Sequence, residues 1–283
     1  MREPGLYESI PEAEYHADTE TLSASGAKVL LGKRAPSSDT DALLFGRLVH
    51  TILLEPHRLD EYVDLDPDII GIKKDGTKAD NPRNTTAWRE AVAKAQRFGL
   101  TIVDSGTLAH ANAVADAVRD HPEAGRLLTA ATGHEVSAYA DHPSGARVRA
   151  RFDLVGSGFI ADIKTTRDGN PEDFGRTMHG FMYHVSAANY LDIARANGLK
   201  ADRFDLIAVE KEPTPGGEYR VSAMEVHPDA IDKGRELMAL ACDRWLANGK
   251  RIDLPSYGTD RHVVDLPAWA YDDDFEIELK GVS

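Results

Sequence analysis

The chain has 283 residues, 42% hydrophobic and 28% charged, and a formal net charge of −14. That size and balance fit a soluble globular protein and exclude a disordered or fibrous chain, while the negative total excludes a surface that is basic overall but not a local basic groove. Cys242 is the single cysteine, which excludes an intrachain disulfide and any cysteine-built zinc or iron–sulfur site, and reads as a reducing, cytoplasmic setting.

The opening MREPGLYESIPEAEYH has no apolar core and reads as lacking a signal peptide, and no stretch has the length of apolar residues that a membrane span needs. TLSASGAKVLL (21–31) predicts a helix start capped by Ser23 or Ser25, with Val29, Leu30 and Leu31 as its apolar side. APSSDTD (35–41) reads as a polar break. DALLFGRLVHTILLEP (41–56) then reads as a helix apolar almost all round, hence buried, and ended by Pro56. The polar stretch 68–86 carries Lys73, Lys74, Lys78 and Arg83 and reads as a solvated loop. Segments 86–99 and 107–128 predict helices, with Gly99 and His121-Pro122 as punctuation.

The period then changes. HEVSAYAD, GARVRARFDLVG and GFIADIKTT alternate or run apolar between Gly, Pro and Asp, which predicts three strands, and VGSGF is short enough to close a hairpin between the last two. A helix over 171–197 ended by Gly198, a strand over 203–213, its hairpin partner over 217–227 and a helix over 228–249 complete the pattern. An acidic tail follows, in which DDDFEIE (272–278) reads as solvated. The order predicts an α/β (α+β) fold with a helical N-terminal part, in a single domain over 1–283. Within it 1–130 is mainly helical, 131–249 is the strand-rich core and 250–283 is an acidic extension.

Residues two apart on a strand share a face, about 6.6–7 Å along it. Ile160, Asp162 and Lys164 therefore share one face, and Phe159, Ala161 and Ile163 the other. The same rule sets Arg147, Arg149, Arg151 and Asp153 against Val148, Ala150, Phe152 and Leu154, which turn to the core. A hairpin can bring Asp153 close to Asp162, and Glu135 on the preceding strand can join them. Clustered carboxylates raise one another's pKa unless a cation intervenes. With a lysine and no cysteines, they point to a hard divalent ion, Mg²⁺ or Mn²⁺, of the kind that activates water against a phosphoryl group. A bare D-x-K is commonly a same-face ion pair; Glu135, Asp153 and a nearby histidine make the stronger case. Arg147, Arg149, Arg151 and Arg167, with Thr165 and Thr166, are candidates for phosphate contacts, the alternative for the arginines being cross-strand pairing with acids.

Asp153, eight intervening residues, then D162-I-K164 resembles the active-site signature of the PD-(D/E)XK nuclease superfamily. LSASGAKVLL, ALLFGRLVHTILLEP, Glu135, RVRARFDLV, IADIKTTRD and MYHVSAANYLDIA follow in the order of its exonuclease VIII (RecE)-like and RecB-like members. The resemblance implies a restriction-endonuclease-like core, a mixed central sheet flanked by helices. It implies metal ligation by Asp153, Asp162 and the carbonyl of Ile163, Lys164 as the catalytic lysine, and Glu135 as a further acidic site residue. It also implies that His50 reaches the metal from an N-terminal helix and that Tyr190 acts on the helix after the lysine strand. Where the family carries Gln-x-x-x-Tyr this chain has Ser186 ahead of Tyr190, and steps of four, three and four put His179, Tyr183, Ser186 and Tyr190 on one helical stripe. The activity implied is metal-dependent exonuclease cleavage of linear double-stranded DNA from its ends, 5′→3′, leaving 3′ single strands. A RecT-like annealing partner, a phage-type recombination setting and a homo-oligomer go with it. The competing readings are a RecB-like nuclease of other polarity, a single-strand nuclease or endonuclease, a DNA-end-binding protein without catalysis, and a hydrolase acting on something other than nucleic acid.

Overall fold

The computed structural model describes residues 2–8, 10–33, 41–73, 75–253, 261 and 263–266. Most of the predicted break at 35–41, Lys74 and the acidic stretch 272–278 lie outside the described residues. The chain opens with β1 (Gly5–Tyr7), α1 (Glu12–Ala17), β2 (Leu22–Ser23), α2 (Ala24–Leu30) and α3 (Asp41–Leu54). It continues with β3 (Tyr62–Asp64), α4 (Pro67–Ile70), α5 (Thr86–Arg97), β4 (Thr101–Val103), α6 (Ser105–Asp120) and α7 (Pro122–Ala130). The core follows as β5 (Ala131–Asp141), β6 (Arg147–Gly156), β7 (Gly158–Thr166), α8 (Phe174–Gly180), α9 (Tyr183–Ala196), β8 (Ala201–Glu210), β9 (Val221–Glu225) and α10 (Pro228–Ala247).

Side-chain caps start the helices, the first of them at the expected Ser23. Ser23 caps α2 by accepting from the Gly26 amide at 3.1 Å, and Thr85 and Asp104 cap α5 and α6 in the same way. The helical run over 107–128 divides at its expected punctuation, His121-Pro122, because Pro122 cannot continue α6 and instead opens α7, with the His121 ring accepting from the Ala124 amide. The helix expected over 171–197 is also two. Met182 takes a left-handed φ of 52° between α8 and α9, so His179 lies on α8 and off the stripe that carries Tyr183, Ser186 and Tyr190. The excursion over 68–86 holds the short α4 and a 3-10 turn over Pro82–Asn84. The short β1, β2, β3 and β4 were not foreseen, being two or three residues long, too brief to show a period.

Seven strands form one sheet in the order β1-β5-β6-β7-β8-β9, with β2 attached to β6, and β3 and β4 form a small parallel pair. Strands β5, β6 and β7 are antiparallel neighbours, β7 and β8 run parallel, and β8 and β9 are antiparallel again, so the sheet is mixed. One face is covered by α2, α9 and α10, where Leu30, Leu191, Met238 and Trp245 bury against Val148, Phe152, Ile160 and Phe204. The other carries α3, α6 and α7, with Leu48, Val114 and Leu127 against Leu154, Phe159, Ile163 and Ile207. The expected phase of β6 breaks here: Val148, Ala150 and Phe152 join the first core, but Leu154 joins the second. The change falls at Asp153.

This three-layered unit spans Met1–Asp253. Leu254–Ser283 forms a separate unit, of which Arg261 and residues 263–266 are described and are exposed. Among the described residues, no helix is long and apolar enough to cross a membrane.

Candidate active site

The site forms where a hairpin opens. Strands β6 and β7 are joined through Ser157 and Gly158, the latter at φ +88°, a conformation that favours glycine. They share only three rungs, Gly156 with Phe159, Val155 with Ile160 and Leu154 with Ala161. Asp153 and Asp162 are the first residues past the last rung. Further along the same edge of β6, β2 pairs with Val148 and Arg149. Between those two partners the β6 edge faces a cleft of about 1000 Å³. On the other side of β6, the pairs His134–Leu154 and Val136–Phe152 put Glu135 opposite Asp153. Glu135, Asp153 and Asp162 thus form one row across three strands. Glu135 has a left-handed φ of 50°, uncommon for a residue with a Cβ and worth roughly 1–3 kcal/mol of strain, the sort of outlier that gathers at functional sites.

Where the strands part, backbone groups of β7 lose their sheet partners, and side chains take them up. The Ile163 amide donates to Asp153 Oδ2 at 2.7 Å. The Ile163 carbonyl accepts from His50 Nε2 at 2.9 Å and from Lys164 Nζ at 3.3 Å. His50 comes from α3, and its Nδ1 lies 3.7 Å from both Glu135 Oε1 and Asp153 Oδ2. Lys164 Nζ stands 2.5 Å from Asp162 Oδ2, and its ammonium lies over the Tyr183 ring at 5.6 Å.

The charges are strongly coupled. Burial alone would lower the His50 pKa, but the negative charges of Asp153 and Glu135 outweigh it and raise it to about 9. Asp153 is pushed well above the carboxylate range by burial and by the Asp162 charge. Burial would also raise Asp162, yet Lys164 holds it below its ordinary value. Lys164 is held up despite its burial by Asp162 and Asp153, so its ammonium stays charged. Tyr190, edge-on to Phe152 and Phe204, lines the cleft, and burial keeps its hydroxyl protonated.

One donor atom each of His50, Glu135 and Asp153 falls within 4.8 Å of the others. Two carboxylates and an imidazole that converge on one point offer hard oxygen and nitrogen donors that fit a divalent cation. The Ile163 carbonyl adjoins this group through His50, while Asp162 stands outside it, next along the row and paired to Lys164.

The phosphate candidates divide. Thr165, Thr166 and Arg167 line the cleft, with Arg167 exposed. Arg151 lines it too, but its guanidinium donates to Ser137 Oγ and the Ile10 carbonyl and stacks on Tyr15. Arg149 is only 6% exposed, and one of its nitrogens donates to the carbonyls of Asp18 and Thr21 and to Thr21 Oγ1. Arg147 pairs with Asp141 and the Arg2 carbonyl. Arg147 and Arg149 therefore tie the N-terminal segment to the sheet, Arg147 also through the cross-strand pairing with an acid that was the alternative reading. An N-terminal segment covers the face of β6 that alternation had left open.

Four cations at the site escaped the sequence reading, one of them Arg58, which lines the cleft but is paired to Glu55 and Glu61. Arg47 and Lys211 line the cleft, and Lys28 places its ammonium 5.4 Å from the Tyr183 centroid. Burial and the Lys164 charge lower the Lys28 pKa to about 8. Lys28 was accessible in principle, as the single charged residue of the helix ASGAKVL. Arg47 and Lys211 gave no local signal, since the fold alone brings them there.

A sequence profile of a family described as PDDEXK-like domain of unknown function (DUF3799) matches residues 19–247. No curated protein matches the chain. Among solved structures, a candidate exonuclease from Eubacterium rectale is 17% identical, with 96% of this chain and 100% of that one covered and a TM-score of 0.55, a likeness of fold. An alkaline exonuclease from Laribacter hongkongensis is 14% identical over 68% of this chain and 91% of that one, with a TM-score of 0.28.

Proposed function

The chain belongs to the family of PDDEXK-like domains, and from that premise we propose that it is a metal-dependent nuclease that hydrolyses phosphodiester bonds of DNA. The observation that carries the reading is the row Glu135, Asp153 and Asp162 at the mouth of the parted hairpin, with Lys164 paired to Asp162 and His50 facing the other two.

Glu135, Asp153 and His50, with Asp162 and the Ile163 carbonyl, would hold Mg²⁺ or Mn²⁺, which when bound polarises a phosphoryl oxygen and lowers the pKa of a coordinated water. Lys164 is held cationic by its acidic neighbours. That suits it to orienting the attacking water and offsetting negative charge on the phosphate, more than to taking the proton from water. Asp153 fixes the Ile163 amide, which sets the backbone between Asp162 and Lys164. Arg167, Thr165 and Thr166 hold the adjoining phosphates, contacts that give affinity without reading sequence. Attack by water is direct, with no covalent intermediate on the protein.

The finer reading follows the RecE-like phrases: an exonuclease on linear double-stranded DNA ends, 5′→3′, leaving 3′ single strands for recombination. It would act as a homo-oligomer, with a RecT-like annealing protein as partner, in the cytosol of a bacterial or phage-infected cell. Residues 1–283 would form a single nuclease domain, with 131–249 as its catalytic core and 250–283 as an acidic extension.

The test is to incubate the chain with end-labelled linear duplex and with closed circular DNA, in Mg²⁺, Mn²⁺ or EDTA. Mononucleotides are expected from linear DNA only, with EDTA abolishing them and Asp162→Ala or Lys164→Ala reducing them about a thousandfold or more. Label position gives polarity. DNA binding without metal-dependent cleavage would point instead to an end-binding protein, and no interaction with DNA would overturn the reading.

A further inference from the structure

We propose that Phe181 is a stacking platform for a nucleobase of the bound strand, an inference that rests on the nuclease reading above. Phe181 is the cap residue at the end of α8, its amide donating to the Thr177 carbonyl at 2.9 Å. The left-handed Met182 then turns the chain before Tyr183 opens α9. That break takes Phe181 out of the helical packing, and it is 61% exposed. Two phenylalanines are exposed among the described residues, Phe98 and Phe181, and of these Phe181 lines the cleft that holds Asp162, Lys164 and Tyr190.

A lone exposed apolar side chain needs no explanation in itself. This one continues an ordered stack. Its ring lies 5.5 Å from that of Tyr183 at an interplanar angle of 13°, and Tyr183 lies 6.4 Å from Phe174 at 25°. Three near-parallel rings thus run from the buried Phe174 to the exposed Phe181. The ammonium groups of Lys28 and Lys164 flank the middle ring at 5.4 and 5.6 Å. A base laid on the outer ring extends the stack, and its backbone phosphate then lies near two cations. Paired aromatic surface and positive charge are the elements by which proteins hold single-stranded nucleic acid without sequence preference, because every base has a π-face. The chemistry favours an unpaired base, since a base in a duplex already has both faces covered.

The test uses the full chain carrying Asp162→Ala, so that DNA stays intact, with 2-aminopurine in the single-stranded end of a partial duplex. Binding is expected to quench the probe. Adding Phe181→Ala should abolish most of the quenching and weaken binding roughly tenfold or more, whereas Phe181→Tyr should keep both. In the chain with Asp162 intact, Phe181→Ala should raise KM by a similar factor with kcat changed far less. Circular dichroism checks the fold, and Phe181→Leu, which keeps apolar bulk without a π-face, gives the same comparison should the alanine variant unfold. Quenching and affinity unaffected by both Phe181→Ala and Phe181→Leu would overturn the platform while leaving the nuclease reading in place. Failure of the Asp162→Ala parent to bind DNA would overturn both.

Discussion

Gly234→Ala is a substitution whose sign separates tertiary packing from local propensity. Gly234 lies within α10, and a Cβ built there would stand 2.1 Å from the His184 carbonyl oxygen, 2.7 Å from its carbon and 2.9 Å from the Ala188 Cβ, all on α9. Ordinary contact begins near 3.4 Å, so the two helices must part by more than an ångström, and the first two obstacles are backbone that cannot rotate away. Inside a helix, alanine for glycine by itself stabilises by about 1 kcal/mol. Overpacking costs about 1–3 kcal/mol, and contacts this close to rigid backbone belong to its upper end, about 2–3, so the expected net effect is destabilisation of about 1–2 kcal/mol. At roughly 2–4 °C per kcal/mol for a unit of this size, the melting temperature should fall by about 2–8 °C. Gly175→Ala in α8 is the control: it would meet nothing within 4 Å and should be neutral or slightly stabilising. Activity should fall with stability for Gly234→Ala, since His184 adjoins Tyr183 at the cleft. Urea and thermal melts of both variants decide the matter. A Gly234→Ala protein as stable as its parent, or more so, would refute the close approach of α9 and α10.

Arg149→Met should cost about 2–4 kcal/mol, because carbonyls of Asp18 and Thr21 lose a buried charged donor, while the salt dependence of DNA binding stays as it is. Arg167→Ala should do the reverse, leaving melts unchanged and reducing the slope of log affinity against log salt by about one. Swapped outcomes would return Arg149 to the phosphate contacts. For the metal-free protein, His50 titrates in the fold at about 9, above its ordinary 6.5. Its contribution is therefore complete below pH 6.5 and is lost as pH rises through 9, and the raised pKa of Asp153 acts in the same direction. Chemical melts in EDTA should show stability falling across pH 6.5–9, by up to about 3 kcal/mol, with the slope reduced in His50→Gln. Added Mg²⁺ competes with the protons and should flatten it; stability that rises across this window in EDTA would contradict the assigned couplings.

The core of the fold could be read because its signals are periodic. Alternation in 134–166 and the capped start at Ser23 are local and strong enough to survive packing. Asp153, Asp162 and Lys164 were legible for the same reason, since a short hairpin leaves few ways to align them. Their neighbour Leu154 was misplaced because the parting of β6 and β7 shifts the strand's phase, which alternation cannot foresee. The arginines of β6 misled in a related way. Period two says which residues share a face, but not that residues 10–21 will lie over that face and take up Arg149 and Arg151. Lys211 and Arg47 come from elements far apart in sequence, so only the sheet order reveals that they meet.

The hairpin turn at Ser157-Gly158 acts as a ruler for the acids on either side of it. Eight residues separate Asp153 from Asp162, and the three rungs convert that count into a position. One added residue in the turn would slide β7 by a step and send Asp162 to the opposite face, without touching any side chain of the site. Chain length there is thus as much a part of the site as the carboxylates are. A scan of insertions and deletions should find a sharper boundary at the turn than any substitution scan would, while the exposed loop tip at 215–218 should accept changes of length freely.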